Sequence, residues 1–162
     1  MALTTILWLA SLAACAGSLA TGYTWAGMTE VGALSVVLLS LWGLLEGRWP
    51  WISDLGIVGC IILAAGGLIL GAPDTTMLIA VLAGLSAWDL GSFRLRLKGS
   101  TSSPETRWLE RRHLAWSLAA VLAGLLVGGT ALVIEIRLSF FLAAAAAVMM
   151  IYSLRRALFG WR

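Results

Sequence analysis

The sequence predicts an all-α integral membrane protein of six transmembrane helices, arranged as three helical hairpins with both termini cytoplasmic. Three observations predict it. The 162 residues are 60% hydrophobic and only 12% charged, whereas soluble domains carry about 25% charged residues. Six apolar segments each approach the ~20 residues that a helix needs to cross a bilayer. Ten of the 11 Lys and Arg residues fall on one side of the alternation that those segments impose, an asymmetry that orients membrane proteins.

The first segment runs from about 3 to 21, and Gly22 and Gly27 flank the turn that follows it. The second, 28–45, opens on Thr29-Glu30, with the threonine as the expected cap. Gly47-Arg48-Trp49-Pro50 breaks the chain, and Ser53 and Asp54 open the third segment, 52–70, as cap-type residues. Gly71-Ala72-Pro73-Asp74 makes the turn into the fourth, 76–93. A basic cytoplasmic loop, 94–112, comes next. It contains Ser102-Ser103-Pro104-Glu105, where Ser102 and Glu105 have capping-box spacing and proline suits the first helical position. The fifth helix is therefore expected to begin near Pro104 as an amphipathic extension and to cross the bilayer over 113–133. A short turn at Glu135 and Arg137 leads to the sixth segment, 138–158.

The basic residues on one side are Arg48, Arg94, Arg96, Lys98, Arg107, Arg111, Arg112, Arg155, Arg156 and Arg162; Arg137 stands alone on the other. By the positive-inside rule both termini are inside, and the expected location is a cytoplasmic membrane of prokaryotic type. Trp8, Trp42, Trp49, Trp51, Trp88, Trp108, Trp116 and Trp161 fall toward the same side, as an aromatic belt would. The stretch from Gly66 to Arg94 can be laid on that from Gly128 to Arg156, a weak internal repeat of the kind any two membrane hairpins share.

Helices in lipid associate through close packing at small residues. Gly43 with Gly47, Gly67 with Gly71, and Gly124 with Gly128 have the small-xxx-small spacing and are the candidate packing positions. Cys15 and Cys60 both lie in apolar runs without metal-ligand spacing, and read as small apolar residues rather than a disulfide. Leu12-Ala13-Ala14-Cys15 has the spacing of a bacterial lipoprotein cleavage box, but no Lys or Arg precedes the apolar run and five further spans make a lipid anchor redundant.

One constellation of nucleophile type exists. Ser86 and Asp89 lie one turn apart, and His113, the only histidine, begins the next predicted span. Gly84-Leu85-Ser86-Ala87 resembles in part the Gly-x-Ser-Gly of rhomboid intramembrane proteases, a family of six-helix cores. That resemblance would imply an intramembrane hydrolase with Ser86 as nucleophile. The second glycine is missing and His113 opens the fifth segment instead of lying deep in the sixth, so back-bonding of Ser86 within its own helix is the plainer expectation. Asp89 is expected to face the bundle and to pair with a base near the start of the fifth helix. One histidine cannot supply bis-histidine haem ligation or a His-rich metal site, so no cofactor and no metal are expected.

Charges elsewhere sit near predicted helix ends, which argues against an ion-coupled pump. Glu46 with Arg48, and Asp54 nearby, are expected to be solvated pairs of little energetic weight. Arg94, Arg96, Lys98, Arg107, Arg111 and Arg112 form a basic cluster suited to anionic lipid or to an acidic partner. The sparse, scattered positive charge excludes nucleic acid as the expected partner. The function expected is that of a non-catalytic structural or accessory subunit that packs with other membrane chains or with itself. The alternatives are a small permease or channel for a neutral solute and, third, a hydrolase using Ser86, His113 and Asp89.

Overall fold

The computed structural model describes residues 2–49, 51–97 and 104–133. Two compact units, Met1–Thr130 and Ala131–Arg162, make up the chain, and every side-chain contact described below lies within the first. The predicted sixth span 138–158, the Glu135/Arg137 turn, Trp161 and the second copy of the weak repeat lie outside the described residues, as do Lys98 and the side chain of Arg107.

The described residues form five helices: α1 (Ala2–Trp25), α2 (Thr29–Leu45), α3 (Trp51–Ile69), α4 (Asp74–Leu97) and α5 (Pro104–Val133). Four of them, α1, α3, α4 and α5, contain a stretch long and apolar enough to cross a membrane. The expectation of six spans in three hairpins is therefore corrected. The second predicted span is a helix of only 17 residues, about 26 Å at 1.5 Å per residue, short of a ~30 Å hydrocarbon layer. Separate hairpins are not the organising rule either, because the largest interface of α1 is with α4, not with its sequence neighbour α2.

The reason lies in four stripes, at three- and four-residue spacing, that mix small residues with large ones. In α1 the buried stripe is Trp8, Leu12, Cys15, Leu19 and Tyr23. In α2 it is Gly32, Ser35, Leu39 and Trp42; in α3, Ser53, Ile57, Cys60, Ala64 and Gly67; in α4, Met77, Ala80, Gly84, Ala87 and Leu90-Gly91. This spacing places each set on one helix face. The small residues let backbones approach. A Cβ at Gly84 would lie 2.7 Å from Cys60 Sγ and 3.5 Å from Cys15 Sγ, so α1, α3 and α4 meet there. Contacts run in opposite residue order along each adjacent pair: Trp8 with Arg94 and Gly22 with Met77, Gly43 with Leu12 and Gly32 with Ala20. α1–α4 is thus an up-and-down bundle. The outside is the apolar side, with Ile6, Leu34, Leu44, Ile62 and Ile69 all more than half exposed.

Two turns at one end are built alike. Gly27 and Gly71 have φ of +77° and +85°, and both follow a helix end. Met28 N donates to Tyr23 O at 2.8 Å, and Ala72 N to Gly67 O at 2.8 Å, the six-to-one bond of the Schellman motif. Near the same end Tyr23, 2% exposed, donates its hydroxyl to Leu63 O at 2.6 Å and ties α1 to α3. Tyr23→Phe is expected to cost about 1 kcal/mol, read as a lower thermal midpoint in detergent; an unchanged midpoint would show that the bond adds nothing.

Expected caps are reassigned. The residue before α2 is Met28, and no side chain caps that helix. Ser53 and Asp54 lie in the first turn of α3, but their side chains reach other helices instead. The fifth helix does begin at Pro104, and α4 continues through Arg94 and Arg96, so most of the predicted basic loop is helical.

Candidate functional site

The helix order brings the start of α1, the end of α2, the start of α3, the end of α4 and the start of α5 to one end of the bundle. Among the described residues, that end holds the basic residues and most of the polar contacts between helices. Two clusters organise it.

The first surrounds Glu46, the residue that caps α2. Its backbone N–H donates to Trp42 O at 2.9 Å, and its side chain turns inward and is fully buried. Oε1 accepts from Ser53 Oγ of α3 at 2.7 Å. Oε2 lies 3.7 Å from Arg94 Nη2 of α4, too far for a hydrogen bond, and has no hydrogen-bond partner. Arg94 is 26% exposed and places its guanidinium 3.7 Å above the ring of Trp8 in α1, a cation–π contact. Trp8 Nε1 and Trp42 Nε1 are also buried without partners. Gly91 makes the cluster possible, because a Cβ there would collide with the Glu46 carboxyl and lie 3.0 Å from Trp8 Nε1. Burial pushes the Glu46 carboxyl above the ordinary glutamate range, outweighing the Ser53 hydrogen bond, the Arg94 charge and the pull of the neighbouring Trp8 indole N–H. This corrects the expectation of a solvated Glu46–Arg48 pair: Arg48 is exposed, and the partner is Arg94, 48 positions along the chain.

The second cluster joins α4 to α5. Asp89 Oδ2 accepts from Ser117 Oγ and lies 3.1 Å from His113 Nε2, which is off the hydrogen-bond direction. Phe93 stacks on the His113 ring at 4.0 Å and 10°. Thr4 Oγ1 of α1 donates to Glu110 Oε1 of α5 nearby. Asp89 thus faces the start of the fifth helix, with His113 as its base. The Ser86 hydroxyl is turned the other way along its own helix, donating to Leu82 O at 2.8 Å. A Ser–His–Asp relay needs the histidine between the serine and the acid. Here the carboxylate stands between Ser117 and His113, an arrangement that clamps two helices.

Farther along, α5 touches α4 through Gly124 and Gly128, where a Cβ would come within 2.6 Å of Leu82 and 2.7 Å of Leu78. The remainder of its apolar face is uncovered: Trp116, Leu126 and Val127 are about 70% exposed. The polar clamp therefore carries much of the docking of α5. Asp89→Ala is expected to cost about 1–2 kcal/mol, at the low end because the pair is part-exposed. Hydrogen exchange should accelerate from about Trp108 to Ala120 and stay unchanged in α1–α3. Equal exchange in α5 would remove the clamp from the account.

The other candidate residues separate. A Cβ at Gly43 would lie 3.2 Å from Leu12 and one at Gly67 2.7 Å from Met77 Sδ, but a Cβ at Gly47 or Gly71 would have nothing within 4 Å. Gly71 serves the turn. Gly22, Gly56, Gly84 and Gly91 make close approaches that Gly-xxx-Gly spacing does not find. Trp8 and Trp42 are core residues; Trp49, Trp51, Trp108 and Trp116 remain outside, as a belt requires. Trp88 donates to Asp54 Oδ1 at 2.9 Å. Arg96, Arg111 and Arg112 are exposed, and Arg112 lies 5.2 Å over the Trp108 ring. Cys15 and Cys60 are free thiols, buried, with sulfurs 3.2 Å apart. Among the described residues no group of three His, Cys, Asp or Glu side chains could hold a metal ion.

No protein-family model matches the chain, and no curated protein or solved structure matches it either.

Proposed function

We propose that the chain is an integral membrane subunit that works by packing, with its basic end at the cytoplasmic face and α5 available to other membrane chains. The observation that carries this reading is the distribution of polarity. Polar side chains at the basic end reach across to neighbouring helices: buried Ser53 to Glu46, part-buried Thr4 to Glu110 and Ser117 to Asp89, and, at the surface, Trp88 to Asp54. The exterior is apolar, and among the described residues none of the apolar stretch of α5 is buried. In lipid such a face gains nothing from hiding apolar surface as such, but it can pack closely against a further helix.

The orientation rests on the charge asymmetry. Arg48, Arg94, Arg96, Arg111 and Arg112 gather at one end, and the exposed arginines beside Trp108 suit anionic headgroups at an interface. Extraction in mild detergent followed by blue-native electrophoresis tests the reading. A band well above the 17.2 kDa monomer plus its detergent is expected. A single species at monomer mass would overturn the subunit assignment.

A further inference from the structure

We propose that Glu46 is a proton-binding site built into the basic end of the bundle, one that exchanges its proton past Arg94.

The geometry argues for it from both protonation states. Four helices converge on this carboxyl: Trp8 from α1, Glu46 from the end of α2, Ser53 from α3, and Gly91 with Arg94 from α4. None of the carboxyl surface reaches the exterior. Ionised, it has one hydrogen bond, from Ser53, and one cation held at 3.7 Å. A buried carboxylate ordinarily needs its second oxygen satisfied as well, and Oε2 has no such donor. Protonated, the orphan oxygen becomes an uncharged O–H, and Arg94 is left to its stack on Trp8 and to the surface that it already reaches.

No other titratable group shares the space among the described residues. At this level α1 presents Trp8. On α3, Asp54 is exposed and holds Trp88. On α4, Asp89 faces α5, which leaves Arg94 as the charge opposite Glu46. On α2's own continuation, Arg48 is exposed. Arg94 also marks the route, since its side chain spans from the buried carboxyl to the exterior.

Dicyclohexylcarbodiimide reads such a site directly. It dissolves in the apolar phase and reacts with a protonated carboxyl. The carboxyl oxygen bonds to the central carbon, the proton passes to a nitrogen, and the adduct rearranges to a stable N-acylurea without losing an atom. The whole chain in detergent micelles, treated between about pH 5 and 8, is expected to carry the adduct on Glu46 at least about fivefold over exposed Glu30 and Asp74. Labelling should fall as pH rises. Arg94→Gln removes the cation that favours the ionised form, so it should move the half-labelling pH up by about one unit, roughly tenfold in proton affinity. Arg96→Gln should leave that pH in place. Glu46→Gln should abolish the adduct. Labelling of Glu46 no greater than of Glu30 and Asp74, labelling indifferent to pH, or a midpoint unmoved by Arg94→Gln would each overturn the proposal. None of these readouts depends on the subunit's partners.

Discussion

Gly91→Val is expected to destabilise the bundle by about 3 kcal/mol or more, beyond the usual 1–3 kcal/mol of overpacking. The excess has a specific origin. A Cβ at position 91 lands on the Glu46 carboxyl and beside Trp8 Nε1. Neither can yield cheaply. Glu46 is fixed by its Ser53 bond and by its place at the end of α2, and Trp8 lies under the Arg94 guanidinium. Moving the carboxyl breaks a buried hydrogen bond and separates it from the Arg94 cation, leaving polar groups unpaired in an apolar setting. The measurement is the thermal midpoint in detergent, with Gly47→Ala and Gly59→Ala as controls. Neither control position has an atom within 4 Å of the added Cβ, so both should stay within about 0.5 kcal/mol. If Gly91→Val matched them, the close approach of α4 to Glu46 would be wrong.

Trp42→Ala is expected to cost about 3 kcal/mol. The residue is 3% exposed, and its ring fills the space opposite Gly56, where a Cβ would overlap it. In a water-soluble core such a truncation costs about 3–5 kcal/mol, part of it transfer and part of it the cavity. Among lipid-facing helices the transfer part shrinks, because the unpacked ring would rest in hydrocarbon. What remains is lost packing between α2 and α3. Restoring volume from the other side tests this. Gly56→Leu in the Trp42→Ala background should recover part of the loss, whereas Gly56→Leu alone should itself destabilise by overpacking. Additive losses in the double variant would show that the two positions are not in contact.

The apolar helices α1, α3, α4 and α5, the turns at Gly27 and Gly71 and the start of α5 at Pro104 were legible because they depend on composition and on local backbone rules. The bundle's interior was not. Its stripes contain residues no more apolar than those outside: α2 buries Gly32, Ser35 and Glu46 while exposing Leu34, Leu38 and Leu44. A search for the apolar face of each helix finds the wrong side of a membrane bundle. Gly-xxx-Gly spacing failed at Gly47 and Gly71 because a repeat within one helix does not reveal what the neighbour places opposite. The bulky partners, Trp42 against Gly56 and Glu46 against Gly91, come from other helices. For the same reason Glu46 was misread as a surface residue. Next to Arg48 and a glycine it looks like a loop charge, and only the arrival of α3 and α4 encloses it. Asp89 was easier, since its partner lies on the next helix in sequence and the connection is short.

The brevity of α2 has a consequence for the bilayer itself. Its 17 residues extend about 26 Å, whereas the 24 residues of α1 beside it extend about 36 Å. A bundle with sides of unequal height cannot match a membrane of uniform thickness all round. In the membrane setting proposed above, lipids against α2 would thin, or the bundle would tilt toward that side, at a cost of fractions of a kcal/mol per Å. The strain falls at the α2 terminus, where Glu46 turns inward, so acyl-chain length becomes a lever on how firmly that corner of the protein is held.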